Sequence, residues 1–156
     1  MNMKRRVFLK GTLASSAVAV AVGAGLITPR AVLAAWPKSA FEATSVNEAM
    51  SGLFGTDLAP GSNDIKVDAP DIAENGAVVP VTVTTTLPKV ESITIISEKN
   101  RTPLVASFNL SSKADGMIST RIKMGESSNV IAVVKAGGKL YSARKEVKVT
   151  IGGCGG

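Results

Sequence analysis

Apolar residues at positions 46, 49, 50, 53 and 54 recur at the spacing of one face of an α-helix. Ser45 and Glu48 stand at capping-box spacing, in which the two side chains satisfy free N–H groups at a helix start. Gly55 follows the stripe and supplies a left-handed stop. A short helix over 46–54 is predicted, lying on the core by its stripe. A partner-binding use of Met50 and Phe54 is the second reading. Residues 36–43 read as a linker into the domain.

Beyond residue 60 the period changes to two, the signature of strands with one buried face. Leu104, Ala106, Phe108 and Leu110 alternate with polar or smaller positions, as do Ile118, Thr120, Ile122 and Met124. Asp115-Gly116 between these runs predicts a hairpin turn. Residues 130–134 are apolar on both faces and predict a central strand. Gly137-Gly138 then turns the chain into a last strand over 139–151, with Tyr141, Ala143, Val147, Val149 and Ile151 facing one way. Lys145 interrupts that face and marks an edge or a twist. Earlier candidates cover 65–68, 77–85 and 91–96, the last with Ile93 and Ile95 on one side. Pro80 places the second of these at an edge, or marks where its pairing starts. About seven short strands argue an all-β fold, an immunoglobulin-like antiparallel β-sandwich with one short N-terminal helix. The domain is expected over 35–151, followed by a flexible tail over 152–156.

The first 34 residues follow a different rule. Lys4, Arg5, Arg6 and Lys10 surround a consecutive arginine pair, and residues 11–28 are uncharged and mostly small or aliphatic. Val32 and Ala34 place small residues before an expected cleavage after Ala34. A charged start, a short apolar run and a small-residue exit predict a cleaved export signal over 1–34. Arg5-Arg6 followed by Phe8-Leu9-Lys10 resembles the twin-arginine signals of bacteria, which predicts a periplasmic location and no stable membrane insertion after cleavage. The competing reading is a membrane anchor, but a run of about 18 residues rich in Gly, Ser and Thr sits at the lower edge of a span.

This segment also explains the charge. The chain carries 18 Lys+Arg against 12 Asp+Glu, a net +6. Five of the basic residues and none of the acidic ones lie in the first 34 positions, leaving 13 basic against 12 acidic. A basic, nucleic-acid-binding domain is excluded. The absence of histidine removes the usual general base and the commonest metal ligand. A single cysteine rules out internal disulfides and thiolate-rich metal sites.

That cysteine, Cys154, is third from the C-terminus, between Gly152-Gly153 and Gly155-Gly156. Glycines offer nothing to pack a buried thiol against, and they give the tail wide conformational freedom. Four residues beyond Thr150 reach at most about 14 Å. Such a thiol suits presentation to another protein's cleft. It does not suit catalysis by itself, which needs held geometry and a fixed base or cation nearby. Two readings stay open on physical grounds. Cys154 carries a substrate on a swinging arm, or it forms an intermolecular disulfide that makes the chain a dimeric binding module. A metal-ligand role is weak, because nothing else can complete the site.

The run Ile151-Gly152-Gly153-Cys154-Gly155-Gly156, after Lys145-Glu146-Val147-Lys148-Val149-Thr150, resembles the C-terminus of the SoxY family. Residues 74–83, Glu74-Asn75-Gly76-Ala77-Val78-Val79-Pro80-Val81-Thr82-Val83, are similar to that family too, as is the leader. The resemblance implies a sulfur carrier of thiosulfate oxidation rather than an enzyme. Cys154 would be the attachment residue, bearing thiosulfonate, persulfide and sulfonate adducts with no other cofactor. Gly152, Gly153, Gly155 and Gly156 would be the arm. It further implies a heterodimer with a SoxZ-like subunit. Loading would come from the haem c protein SoxAX, sulfate release from the metal-dependent hydrolase SoxB, and oxidation of the remaining sulfur, where present, from SoxCD.

Overall fold

The computed structural model describes residues 37–152. The expected export signal over 1–34, with Arg5 and Arg6, lies outside these residues, as do Gly153, Cys154, Gly155 and Gly156. The chain opens with two short helices, α1 (Lys38–Glu42) and α2 (Val46–Phe54). Eight strands follow: β1 (Ile65–Asp68), β2 (Ile72–Ala73), β3 (Val79–Thr85), β4 (Val90–Ser97), β5 (Leu104–Asn109), β6 (Met117–Ile122), β7 (Ser128–Ala136) and β8 (Lys139–Val149).

Helix α2 begins and ends where its sequence says it should. The Ser45 hydroxyl accepts from Glu48 N at 3.2 Å, and Gly55 closes the helix with φ +74°. The reciprocal half of the box differs, since the Glu48 carboxylate accepts from Thr44 N at 3.3 Å. The expected linker is in part α1, which packs Ala40 against α2. A Cβ at Gly52 would lie 3.1 Å from the Ala40 backbone, so the helices meet through two small residues that carry no periodic apolar signal.

The strands form a three-stranded sheet, β1-β3-β6, and a five-stranded sheet, β2-β8-β7-β4-β5. Val79, Val81 and Val83 of the first interleave with Ile93, Ile95, Val130, Ala132, Val134 and Val147 of the second. Burying each such side chain stabilises by roughly 1.5–3 kcal/mol. The outer face of the five-stranded sheet is covered as well. Ile96, Leu104, Ile131 and Val133 pack under Ala40, Ala49 and Met50 of the helices. Strands β4 and β7 are therefore buried on both sides along most of their length, because each is sandwiched between two layers. Thr94, fully buried, shares a hydrogen bond of 2.9 Å with Ser107.

The all-β sandwich is as expected from the alternation, with four differences in detail. First, Asp115-Gly116 does not close a hairpin. Strand β5 pairs with β4 and β6 pairs with β3, so this segment crosses from one sheet to the other. Second, not every pairing is antiparallel, because β2 runs parallel to β8 with Ile72 opposite Lys148. The chain leaves β1 in one sheet and crosses to the other, which lays this two-residue strand along β8 in the same direction. Third, a bulge at Val105 turns Leu104 to the helix side and Val105 to the central core, so the four alternating residues do not share one face. Fourth, β8 stops at Val149, and Ile151 is 68% exposed rather than facing inward.

Pro80 satisfies the second of its two expected readings. Strand β3 is the centre of its sheet, but β1 pairs only with Thr82–Thr85, so Pro80 lies before that flank is covered. Lys145 likewise sits where β2 has not yet joined β8. Its ammonium pairs with the Asp71 carboxylate.

Candidate functional site

The segment that leads toward Cys154 is tied down by hydrogen bonds on both sides as far as Ile151. On one side is the turn built by Glu74-Asn75-Gly76. Thr150 N donates to the Ala73 carbonyl at 3.1 Å and the Thr150 hydroxyl donates to the Glu74 carbonyl at 3.0 Å. Gly76 N donates to the Ile151 carbonyl at 2.8 Å. The turn holds its own shape because Asn75 Oδ1 accepts from Ala77 N at 2.8 Å, an Asx turn.

On the other side is the loop between β6 and β7. Val149 N donates to the Ser127 hydroxyl at 2.8 Å. Met124 N donates to the Gly76 carbonyl at 2.7 Å, which joins the loop to the turn. Gly125 N donates to Asn100 Oδ1 at 2.9 Å, while Asn100 Nδ2 donates to the Lys123 carbonyl at 2.7 Å. The loop and Gly152 then meet closely. A Cβ at Gly152 would lie 2.3 Å from the Gly125 carbonyl oxygen, a distance no side chain tolerates.

Gly152, expected as the first residue of a free arm, is thus half-buried and seated against the fold. Its glycine is required by a close approach. The sequence marked Gly152 and residues 74–83 separately, and the structure brings them together across Ile151. Asn100, Gly125, Ser127 and Thr150 carried no recognisable signal. Their work is done by one side chain or one missing side chain in loops without periodicity.

The groups that hydrogen-bond residues 149–151, the root of the tail, are backbone amides and carbonyls and the Ser127 hydroxyl. Such groups hold a chain but move no proton at neutral pH. Beside the root a hollow of about 360 Å³ is lined by Asp71, Ile72, Lys145, Glu146 and Lys148. Lys145, by hydrogen bond and then by charge, with a smaller contribution from Lys148, holds the Asp71 carboxyl below its ordinary range. Among the described residues no three Asp, Glu, His or Cys side chains gather as a metal site, and no helix is long and apolar enough to cross a membrane.

No curated protein sequence is similar enough to this one to match it. The sequence pattern of the sulfur oxidation protein SoxY matches residues 50–154, a stretch that ends on Cys154. A solved structure of the sulfur carrier protein SoxY from Chlorobium limicola f thiosulfatophilum is 43% identical. It superposes with a TM-score of 0.63 over 74% of this chain and 100% of that one. A superoxide reductase (neelaredoxin) from Ignicoccus hospitalis is 18% identical, with a TM-score of 0.50, 56% of this chain and 80% of that one being covered. That second likeness is one of fold alone. The first, with a family pattern that spans most of the chain and reaches its single cysteine, shows that this chain belongs to the SoxY family of sulfur carrier proteins.

Proposed function

We propose that Cys154 is the covalent attachment site for sulfur intermediates of thiosulfate oxidation, presented to partner enzymes on an arm formed by Gly153-Cys154-Gly155-Gly156 and mounted at Gly152. The observation that carries this reading is the meeting of two facts. The family pattern runs to Cys154, and the fold anchors the chain as far as Gly152, two residues before it. The chain supplies the mount and the thiol, and partner enzymes supply the chemistry.

Loading joins the Cys154 sulfur to the outer sulfur of thiosulfate. The thiol proton is released and an electron pair passes to a haem c partner of the SoxAX kind, leaving a thiosulfonate. Water then cleaves the bond between the terminal sulfonate and its neighbouring sulfur on a SoxB-like hydrolase, releasing sulfate and leaving a persulfide. Where a SoxCD-like dehydrogenase is present, it would take six electrons from that outer sulfur while three waters supply its oxygens, and a further water would cleave the resulting sulfonate to release sulfate and restore the Cys154 thiol. A SoxZ-like subunit completes the carrier as a heterodimer. Export through the twin-arginine route, directed by Arg5 and Arg6, would place these events in the periplasm.

The test is the intact mass of protein purified without reductant, before and after thiosulfate and the haem c partner are supplied. Additions of sulfur or sulfonate units, absent in Cys154→Ser, are expected. The substitution should change stability by no more than about 0.5 kcal/mol, because a residue flanked on both sides by glycine pairs has no neighbouring side chains in its own segment to pack against. A doubled mass that collapses on reduction, with no sulfur additions, would instead establish the disulfide-linked dimer. Unchanged loading of Cys154→Ser would overturn the assignment.

A further inference from the structure

The Lys123–Gly125 loop owes its path to a residue from a distant turn. Asn100, in the β4–β5 connection, spans the loop with both ends of its amide, donating to the Lys123 carbonyl and accepting from Gly125 N. Asn100 is itself fixed, since its backbone N donates to the Ser97 carbonyl at 3.2 Å and Ser97 N donates to Pro103 O at 2.9 Å. Gly125, whose N–H Asn100 holds, is the residue whose own carbonyl oxygen, in the next peptide, abuts Gly152. Asn100 therefore acts on the root through one intermediate residue, and it touches neither the tail nor any cargo.

We propose that Asn100 is a positioning residue for the carrier thiol, setting through Gly125 the direction in which the chain leaves the fold at Gly152. The inference rests on the reading of Cys154 as the carrier and adds a determinant of delivery to it. Its force comes from a length. Cys154 stands two positions beyond Gly152, a lever of about 7 Å when extended. A shift of a few Å in the mount is then a large fraction of the whole arm, and it moves the volume that the thiol can reach. A partner must bind the folded domain and receive the thiol in its cleft together, so the mount's direction enters the effective concentration of thiol at the cleft. Bracing a loop for stability alone would not require that the braced Gly125 press its own carbonyl oxygen on a position that only glycine can occupy.

The experiment uses the full carrier, with its partner subunit, loaded as the Cys154 thiosulfonate and offered to the sulfate-releasing hydrolase. Asn100→Ala removes both hydrogen bonds, and Gly152→Ala disrupts the same contact from its other side. Each is expected to raise KM for the loaded carrier about tenfold with kcat unchanged, since the chemistry after seating belongs to the enzyme. Alkylation of Cys154 by iodoacetamide, which needs no cleft, should stay within about twofold of the native rate. The double variant should be no worse than the worse single one, because both changes break one contact. An unchanged KM in Asn100→Ala, or KM increases that multiply in the double variant, would overturn the proposal. Gly152→Ala lies outside both hydrophobic cores and keeps the test decisive if Asn100→Ala fails to fold. Sulfur loading of Cys154→Ser is followed in parallel. Loading that persists there refutes the carrier reading, whereas loss of loading there with an unchanged KM in Asn100→Ala refutes only the positioning role.

Discussion

Position 116 has room for a hydrogen and little more. A Cβ there would lie 2.8 Å from the Thr85 carbonyl oxygen and 2.9 Å from its methyl carbon, while Thr85 N donates to the Gly116 carbonyl at 2.7 Å. The contact locks the crossing from β5 to β6 onto the end of β3, and backbone cannot yield as a side-chain tip can. Gly116→Ala is expected to cost about 1–3 kcal/mol, the usual range for forcing a methyl into a packed site. The check is a lower urea midpoint at an unchanged m-value, which separates lost stability from a changed unfolded state. A midpoint equal to the native one would mean that the crossing is soft. This residue also shows what a sequence withholds. Asp115-Gly116 is legible as a break between two strands, but alternation reports only which face a residue presents. It says nothing of which strand lies alongside, so a crossing between sheets reads as a hairpin. Gly152 was misread in a related way. Glycine in a terminal tail reads as freedom, and the Gly125 carbonyl that makes it a close contact lies 27 positions away in the chain.

Among the elements, the β7–β8 hairpin shows how one charged group supports a turn. Gly137 and Gly138 both have positive φ, the conformation that favours the tightest hairpins. A bulge at Glu91 in β4 turns its carboxylate toward that turn, where it accepts from Gly138 N at 2.6 Å and pairs with Lys135 at 3.2 Å. The Gly138 amide first, and Lys135 second, hold the Glu91 carboxyl below its ordinary value of 4.5. A carboxyl depressed in the folded state stabilises fully above its unfolded value, and that contribution fades as pH falls through the folded one. Glu91→Gln keeps an acceptor for Gly138 and loses the charge. The native protein should therefore unfold at higher urea than the variant at pH 7, and the two midpoints should converge below about pH 4.5. Parallel curves from pH 7 down to pH 3 would show that the charge is idle. The hairpin itself was plain in the sequence, because Gly-Gly between two apolar runs is a local signal. Glu91 was not, since its role comes from a bulge placed 47 residues before the amide it serves.

For the whole molecule, the layering explains both what was readable and how the thiol is used. Residues 130–134 announced a central strand because helices cover one face of the sheet and a second sheet covers the other. The tail root was hidden because two loops and a turn meet there with no periodicity at all. The hydrogen bonds that hold the root come from amides and hydroxyls. Lys145 is engaged with Asp71, and Lys148 shares in that carboxylate's field. Lys148 stands six positions before Cys154, and charges separated in salt by more than about 8 Å are largely screened. Reactive cysteines owe their low pKa to a helix N-terminus, a nearby cation or a metal. Cys154 follows a strand rather than opening a helix. The isolated carrier is therefore expected to hold an ordinary thiol that each partner activates inside its own cleft. A carrier thiol reactive everywhere would exchange its cargo with stray thiols before delivery. The measurement is the pH dependence of iodoacetamide alkylation of reduced protein, alone and then with its carrier partner. Half-maximal reactivity above about pH 8 is expected for the isolated chain, as for a free cysteine. Half-maximal reactivity below about pH 7 would mean that the fold itself directs a cation or dipole at Cys154, and the division of labour between carrier and enzymes would have to be redrawn.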